Sequence, residues 1–157
     1  LIYFNGRDIT NKSYLRYKGP EKETVGIGKG DVVWMSSYPD KGEKVYLTEG
    51  EFDAMSLKEA GFVSAALGGK SLNPKQIKLL FNYRVVFAFD LDKYGREAIQ
   101  DCAKILRSFS GMETYFILPP VGYKDWNELL IKKDKKAISN YINKYERVLE
   151  WNDLFQI

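Results

Sequence analysis

Four carboxylates fall where apolar, strand-like runs stop: Glu49 and Asp53 in Thr48-Glu49-Gly50-Glu51-Phe52-Asp53, and Asp90 and Asp92 in Phe89-Asp90-Leu91-Asp92. If a helix starts near Glu51, Glu49 and Asp53 face the same cleft. Asp90 and Asp92, two apart, point the same way in an extended segment. Acids gathered at one edge of a parallel sheet repel each other by about 4 kcal/mol per pair at ~4 Å in a partly buried site. A hard cation offsets that repulsion, and Mg2+ suits it because it takes a few carboxylates and keeps waters for substrate phosphates. Metal-dependent phosphoryl transfer is the chemistry this pattern implies. Against it stands the ordinary capping role of acids placed at helix starts, which accounts for any one of these residues more easily than for the set.

Composition removes the competing chemistries. The 157 residues include no histidine, which takes away the commonest general base, the Ser-His-Asp triad and most catalytic zinc sites. The single cysteine, Cys102, excludes a disulfide framework within the chain and a zinc ribbon, and its place in a helical run marks it as an inert, partly buried thiol. A net charge of +3 permits nucleic-acid binding without arguing for it. No apolar run approaches a membrane span, and a cytoplasmic protein is expected. The chain opens at Leu1 and runs straight into apolar residues, as a piece of a longer polypeptide would.

The elements that must position the acids alternate from Val45 onward. Strands are expected at Val45–Thr48, Phe62–Ala66, Val85–Phe89 and Thr114–Leu118, with helices at Phe52–Ala60, from Asn73-Pro74 to about Asn82, and at Arg96–Ser108. Such a series predicts an α/β fold with a mostly parallel central sheet and helices on both faces, whose ligands bind beyond the carboxyl ends of the strands. Gly50 is expected to let the chain turn sharply after the first strand. Before this core, residues 1–44 carry strand-like pieces at Ile2–Phe4 and Val32–Met35 and a basic, aromatic stretch. After it, residues 132–157 carry Ala137, Ile138, Tyr141, Ile142, Tyr145, Val148 and Leu149 at the spacing of one long helix. The expected division is therefore 1–44, 45–131 and 132–157.

Three look-alike motifs fail on counting or survive only weakly. Gly68-Gly69-Lys70-Ser71 lacks the earlier glycine of a P-loop, because Ser64 stands there. Asp90, Asp92 and Gly95 begin like a calcium loop, but Tyr94 and Asp101 occupy positions that need other ligands. A strand followed by Asp-x-Asp also opens the haloacid-dehalogenase phosphatases, where Tyr94 is the departure.

Taken together, Glu49-Gly50-Glu51-Phe52-Asp53-Ala54, Ala66-Leu67-Gly68-Gly69 and Asp90-Leu91-Asp92-Lys93-Tyr94-Gly95-Arg96-Glu97-Ala98 resemble the TOPRIM domain of bacterial-type and phage DNA primases and primase-helicases, over residues 45 to 131. Tyr94, where topoisomerase TOPRIM domains carry Glu, favours the primase branch. The resemblance implies that Glu49, Asp90, Asp92 and Asp125 hold divalent metal, Mg2+ or Mn2+, and that Glu49, Asp53, Asp90 and Asp92 are the catalytic acids. Where such primases often carry a further acid two residues after Asp125, this chain has Asn127.

The function implied is nucleotidyl transfer that makes RNA primers on single-stranded DNA from ribonucleoside triphosphates, with a zinc-binding module and a replicative helicase as partners outside this chain. The alternatives are a TOPRIM metal-dependent nuclease and a non-catalytic nucleic-acid-binding module. Arg7, Lys12, Arg16 and Lys18, interleaved with Tyr14 and Tyr17, are candidate template contacts through phosphates and stacked bases. Lys70 and Lys93 are candidates for nucleotide phosphates.

Overall fold

The computed structural model describes residues 3–150 apart from 11, 16, 70, 91, 111 and 112. The chain begins with a small antiparallel pair, β1 (Gly6–Arg7) and β2 (Tyr17–Lys18), then a short helix α1 (Lys22–Val25), a 3-10 turn at Lys29–Asp31 and β3 (Trp34–Met35). The alternating core follows: β4 (Lys44–Thr48), α2 (Glu51–Glu59), β5 (Ser64–Ala66), α3 (Pro74–Leu80), β6 (Arg84–Phe87), α4 (Lys93–Ser110) and β7 (Tyr115–Phe116). The chain closes with α5 (Trp126–Lys132), α6 (Lys135–Tyr145) and β8 (Arg147–Val148).

Six strands form one sheet in the order β3-β5-β4-β6-β7-β8. The four inner strands are parallel, as their connecting helices require, and β3 and β8 add antiparallel edges. Alternate residues of each strand face opposite layers. Val45, Leu47, Val85, Phe87 and Phe89 pack with Ile77 and Leu80 of α3 and Ile99, Cys102 and Leu106 of α4. Tyr46, Val86 and Ala88 pack on the other face with Leu57 of α2, Trp126 of α5 and Ile138 and Ile142 of α6. The α/β architecture with helices on both faces is thus the one expected. Cys102 is fully buried, and that burial pushes its thiol up to about 12, so it is inert at neutral pH.

Local chemistry explains the boundaries. Asn73 caps α3, accepting from the backbone N–H groups of Lys75 at 2.9 Å and Gln76 at 3.1 Å, with Pro74 at the first helical position. Three expectations are corrected. Tyr3 and Phe4 lie in irregular chain ahead of β1 rather than in a strand, while Ile2 lies outside the described residues. Gly50 is extended, at φ −112, which any residue adopts, so no turn there requires glycine. The expected long terminal helix stops at Tyr145.

There Glu146 turns extended and its carboxylate accepts hydrogen bonds from the Lys44 and Tyr46 side chains. Val148 then pairs with Tyr115, and the Leu149 N–H donates to the Thr114 carbonyl at 2.9 Å. Val148 and Leu149 continue a helical spacing in sequence, but the open ladder of β7 offers them backbone hydrogen bonds and a buried face, and this tertiary demand overrides the helical period. Both edge strands, β3 and β8, thus come from outside the 45–131 stretch.

Candidate functional site

The acids lie at the carboxyl ends of β4 and β6, the two central strands of the sheet. At the end of β4, the buried Thr48 hydroxyl bonds the carbonyl of Gly50 at 2.8 Å and that of Ala65 at 3.2 Å, which fixes the backbone on either side of Glu49. Glu49 Oε1 is buried. Beyond β6 the chain runs through Ala88 and Phe89 to Asp90, and then into α4, whose first turn is capped by Asp92: its Oδ1 accepts the Gly95 N–H at 2.7 Å.

Gly95 is the contact that joins the two acidic segments. A Cβ at that position would lie 2.4 Å from the carbonyl oxygen of Asp90 and 3.1 Å from Glu49 Oε1. The first turn of α4 therefore sits directly on the Asp90 backbone and against the Glu49 carboxylate, an approach that only a residue without a side chain allows.

The third segment arrives on α5. Trp126 is fully buried and donates from Nε1 to the Ala88 carbonyl at 2.9 Å, two residues before Asp90, so α5 hangs from the end of β6. Asp125 caps α5, accepting the Glu128 N–H at 2.7 Å. Asp53, one turn into α2, points at the same helix start and accepts the Asn127 N–H at 3.0 Å. Burial, with the charges of Asp125 and Asp90 adding to it, raises the Asp53 carboxyl to about 7 against the pull of the backbone bonds from Asn127 and Trp126. Asp53, Asp90 and Asp125 therefore share one electrostatic environment.

That environment makes a prediction about the metal-free chain. Asp53 titrates near 3.8 when unfolded and near 7 when folded, so the unfolded state releases this proton first as pH rises. The contribution of Asp53 to stability is full below pH 4 and is lost as pH climbs to about 7, a change on the order of 4 kcal/mol. Asp53→Asn removes this titration while keeping an oxygen for the Asn127 N–H, so its thermal midpoint without divalent metal is expected to lose much less between pH 5 and pH 8. Parallel pH profiles of wild type and variant would refute this.

Among the described residues no three acids or thiols close into a ready-made ligand set. A cation that keeps most of its waters and takes one or two carboxylates does not need one. The donors are all hard oxygens, the Glu49 carboxylate and the Asp90 backbone meet at Gly95, and Asp53 is held at a charge cost that a cation would lower. These features fit Mg2+ or Mn2+.

The basic candidates separate. Arg7 stands 5.6 Å from the Tyr17 ring and 4.9 Å from the Phe52 ring, stacking the β1–β2 hairpin on the start of α2. It lines a cavity of about 750 Å3 with Tyr17, Lys29, Trp34, Phe52 and Met55. Lys12, Lys18 and Tyr14 are exposed on the same hairpin, whose loop is fixed by Asp8 accepting from the Thr10 and Ser13 backbone. Lys93 is exposed and pairs with Glu97 at 3.7 Å along α4. Arg16 and Lys70 lie outside the described residues.

Sequence reasoning passed over Lys29, whose stem packs on Gly68 and whose Nζ sits 5.5 Å from the Tyr17 ring. Its signal was the flanking pair Gly28 and Gly30, which let the 3-10 turn press against neighbouring chain. Gly68, at φ +68, leaves the room for that stem.

A family model for Toprim-like domains matches residues 46–130, more than half of the chain. The chain belongs to the Toprim-like family. Within it, this domain is similar to those of DNA primases. It is 31% identical over 143 residues to a DNA helicase/primase of Enterobacteria phage T3, covering 85% of this chain and 24% of that protein. It is 27% identical over 160 residues to a DNA primase of Mycoplasma genitalium, covering 96% and 25%. The crystal structure of the zinc-binding and RNA polymerase domains of Aquifex aeolicus primase superposes with a TM-score of 0.78 at 28% identity, over 95% of this chain and 38% of that one. The chain thus spans about a quarter of the length of the curated relatives it matches. No helix of the described residues is long and apolar enough to cross a membrane.

Proposed function

We propose that this Toprim-like chain is the catalytic module of a DNA primase, carrying out metal-dependent nucleotidyl transfer that makes RNA primers on single-stranded DNA. One observation carries the reading: the seat of Gly95 on the Asp90 backbone and against the Glu49 carboxylate, which brings together the two chain segments that bear these acids. Glu49, Asp90, Asp92 and Asp125 are the residues that would hold Mg2+ or Mn2+. The bound ion would neutralise nucleotide phosphates and assist the attacking 3′-hydroxyl.

The chain's own part is positioning. Thr48, Gly95 and Trp126 fix the backbone that presents Glu49, Asp90 and Asp125, and Asp53 ties α2 to the start of α5. Arg7, Lys12, Arg16 and Lys18, with Lys29 added to them, take template phosphates, and Tyr14 and Tyr17 stack bases. Lys70 and Lys93 take nucleotide phosphates. Residues 1–44, 45–131 and 132–157 are proposed as template-contacting segment, catalytic core and C-terminal extension. A zinc-binding module and a helicase belong to the remainder of the protein or to separate partners.

Incubating the chain with single-stranded template, ribonucleoside triphosphates and Mg2+ or Mn2+ tests this. Template-dependent oligoribonucleotides are expected, abolished in Asp90→Asn. Metal-dependent cleavage of the template with no such product would instead identify a nuclease.

A further inference from the structure

Asn127 makes two bonds to α2, one turn apart. Its backbone N–H donates to Asp53 Oδ1 at 3.0 Å, and its side-chain Nδ2 donates to Ser56 Oγ at 3.1 Å. Ser56 is almost fully buried, and its own hydroxyl proton goes to the Phe52 carbonyl at 2.8 Å, so Oγ can only accept from Asn127. The residue at 127 must therefore supply a donor on that side. A carboxylate would set acceptor against acceptor and add a negative charge beside Asp53, which is already strained by Asp90 and Asp125.

We infer that Asn127 is a positioning residue of the acidic site: with Ser56 it clamps α5 to α2, and so fixes Asp53 and Asp125 relative to each other for cation binding. The clamp has two ends on α2, at Asp53 and Ser56, which sets the rotation of α5 as well as its distance. Trp126 anchors the same helix start to β6. Together these bonds triangulate Asp125 against the ends of both acidic strands. The inference rests on the proposed metal site.

Mn2+ titration of the full chain, followed by electron paramagnetic resonance of the free ion, tests it in wild type, Asn127→Ala, Ser56→Ala and the double variant, with Asp90→Asn as reference. Residues that orient metal ligands typically change affinity by about 10-fold or more when removed. Each single variant is expected to weaken Mn2+ binding by about 10-fold, and the double variant no further, because both remove the same hydrogen bond. Asn127→Asp is expected to lower the metal-free thermal midpoint more than Asn127→Ala does, since it adds the charge as well as losing the donor.

If the variants melt earlier but bind Mn2+ as wild type does, Asn127 is merely structural and the inference is overturned while the metal site stands. Additive losses in the double variant overturn the clamp as well. If wild type binds no better than Asp90→Asn, the metal site itself fails and the inference falls with it.

Discussion

Gly95→Ala is expected to weaken Mn2+ binding and primer synthesis by about 100-fold and to lower stability by roughly 1–3 kcal/mol, the usual cost of overpacking. Elsewhere in an 18-residue helix such as α4 the same exchange would stabilise by up to about 1 kcal/mol, because alanine is the better helix former. The sign reverses here because the new methyl would stand 2.4 Å from the Asp90 carbonyl oxygen, a backbone atom that cannot rotate away. Either the Asp90 backbone or the first turn of α4 must shift, and the second choice breaks the 2.7 Å cap from Asp92. Both choices also move an acid relative to Glu49, whose Oε1 lies 3.1 Å from the same methyl position. Gly69→Ala is the control, since among the described residues nothing lies within 4 Å of its Cβ position. Calorimetry and Mn2+ titration read the two effects separately. Wild-type affinity in Gly95→Ala would show that the approach of α4 does not organise the site.

The parallel core and its acids were legible in sequence because they depend on local signals. Continuous apolar runs marked strands buried on both faces, Asn73-Pro74 marked a helix start, and Glu49, Asp90 and Asp92 stand at the strand ends where the alternation put them. The parts that misled depend on distant partners. Val148 and Leu149 keep a helical spacing but serve β7, and nothing near them in sequence announces that strand. Gly50 looked like a required turn glycine and is extended, whereas Gly95, inside a helical run, is the glycine whose missing side chain matters. Asn127 reads in sequence only as a missing acid. Its second identity, a donor to Ser56, appears once α5 and α2 are side by side. Close approach and clamping are properties of pairs of elements, and a single sequence shows only one partner at a time.

Asp92→Asn separates the two roles an acid at a helix start can play. Asp92 is exposed, and its described bond is the cap to the Gly95 N–H, which asparagine makes as well as aspartate does. Metal-free stability is therefore expected to stay within about 0.5 kcal/mol of wild type, the range of surface changes that keep their contacts. Asp92→Ala, which loses the cap too, is expected to cost about 1 kcal/mol. A cation distinguishes what the helix does not, because asparagine offers it an oxygen without the charge. Paired with Asp90→Asn, the substitution removes two of the carboxylate charges proposed to hold the ion, and Mn2+ affinity is expected to fall by at least about 100-fold while the fold persists. Primer synthesis should be lost with it, and raising Mn2+ should restore part of the activity of the single variants but not of the pair. If both acids only cap and fill space, the double variant would melt and bind Mn2+ like wild type, and the strand-end carboxylates would be structural residues. Loss of binding at unchanged stability has no structural explanation and assigns them to the ion.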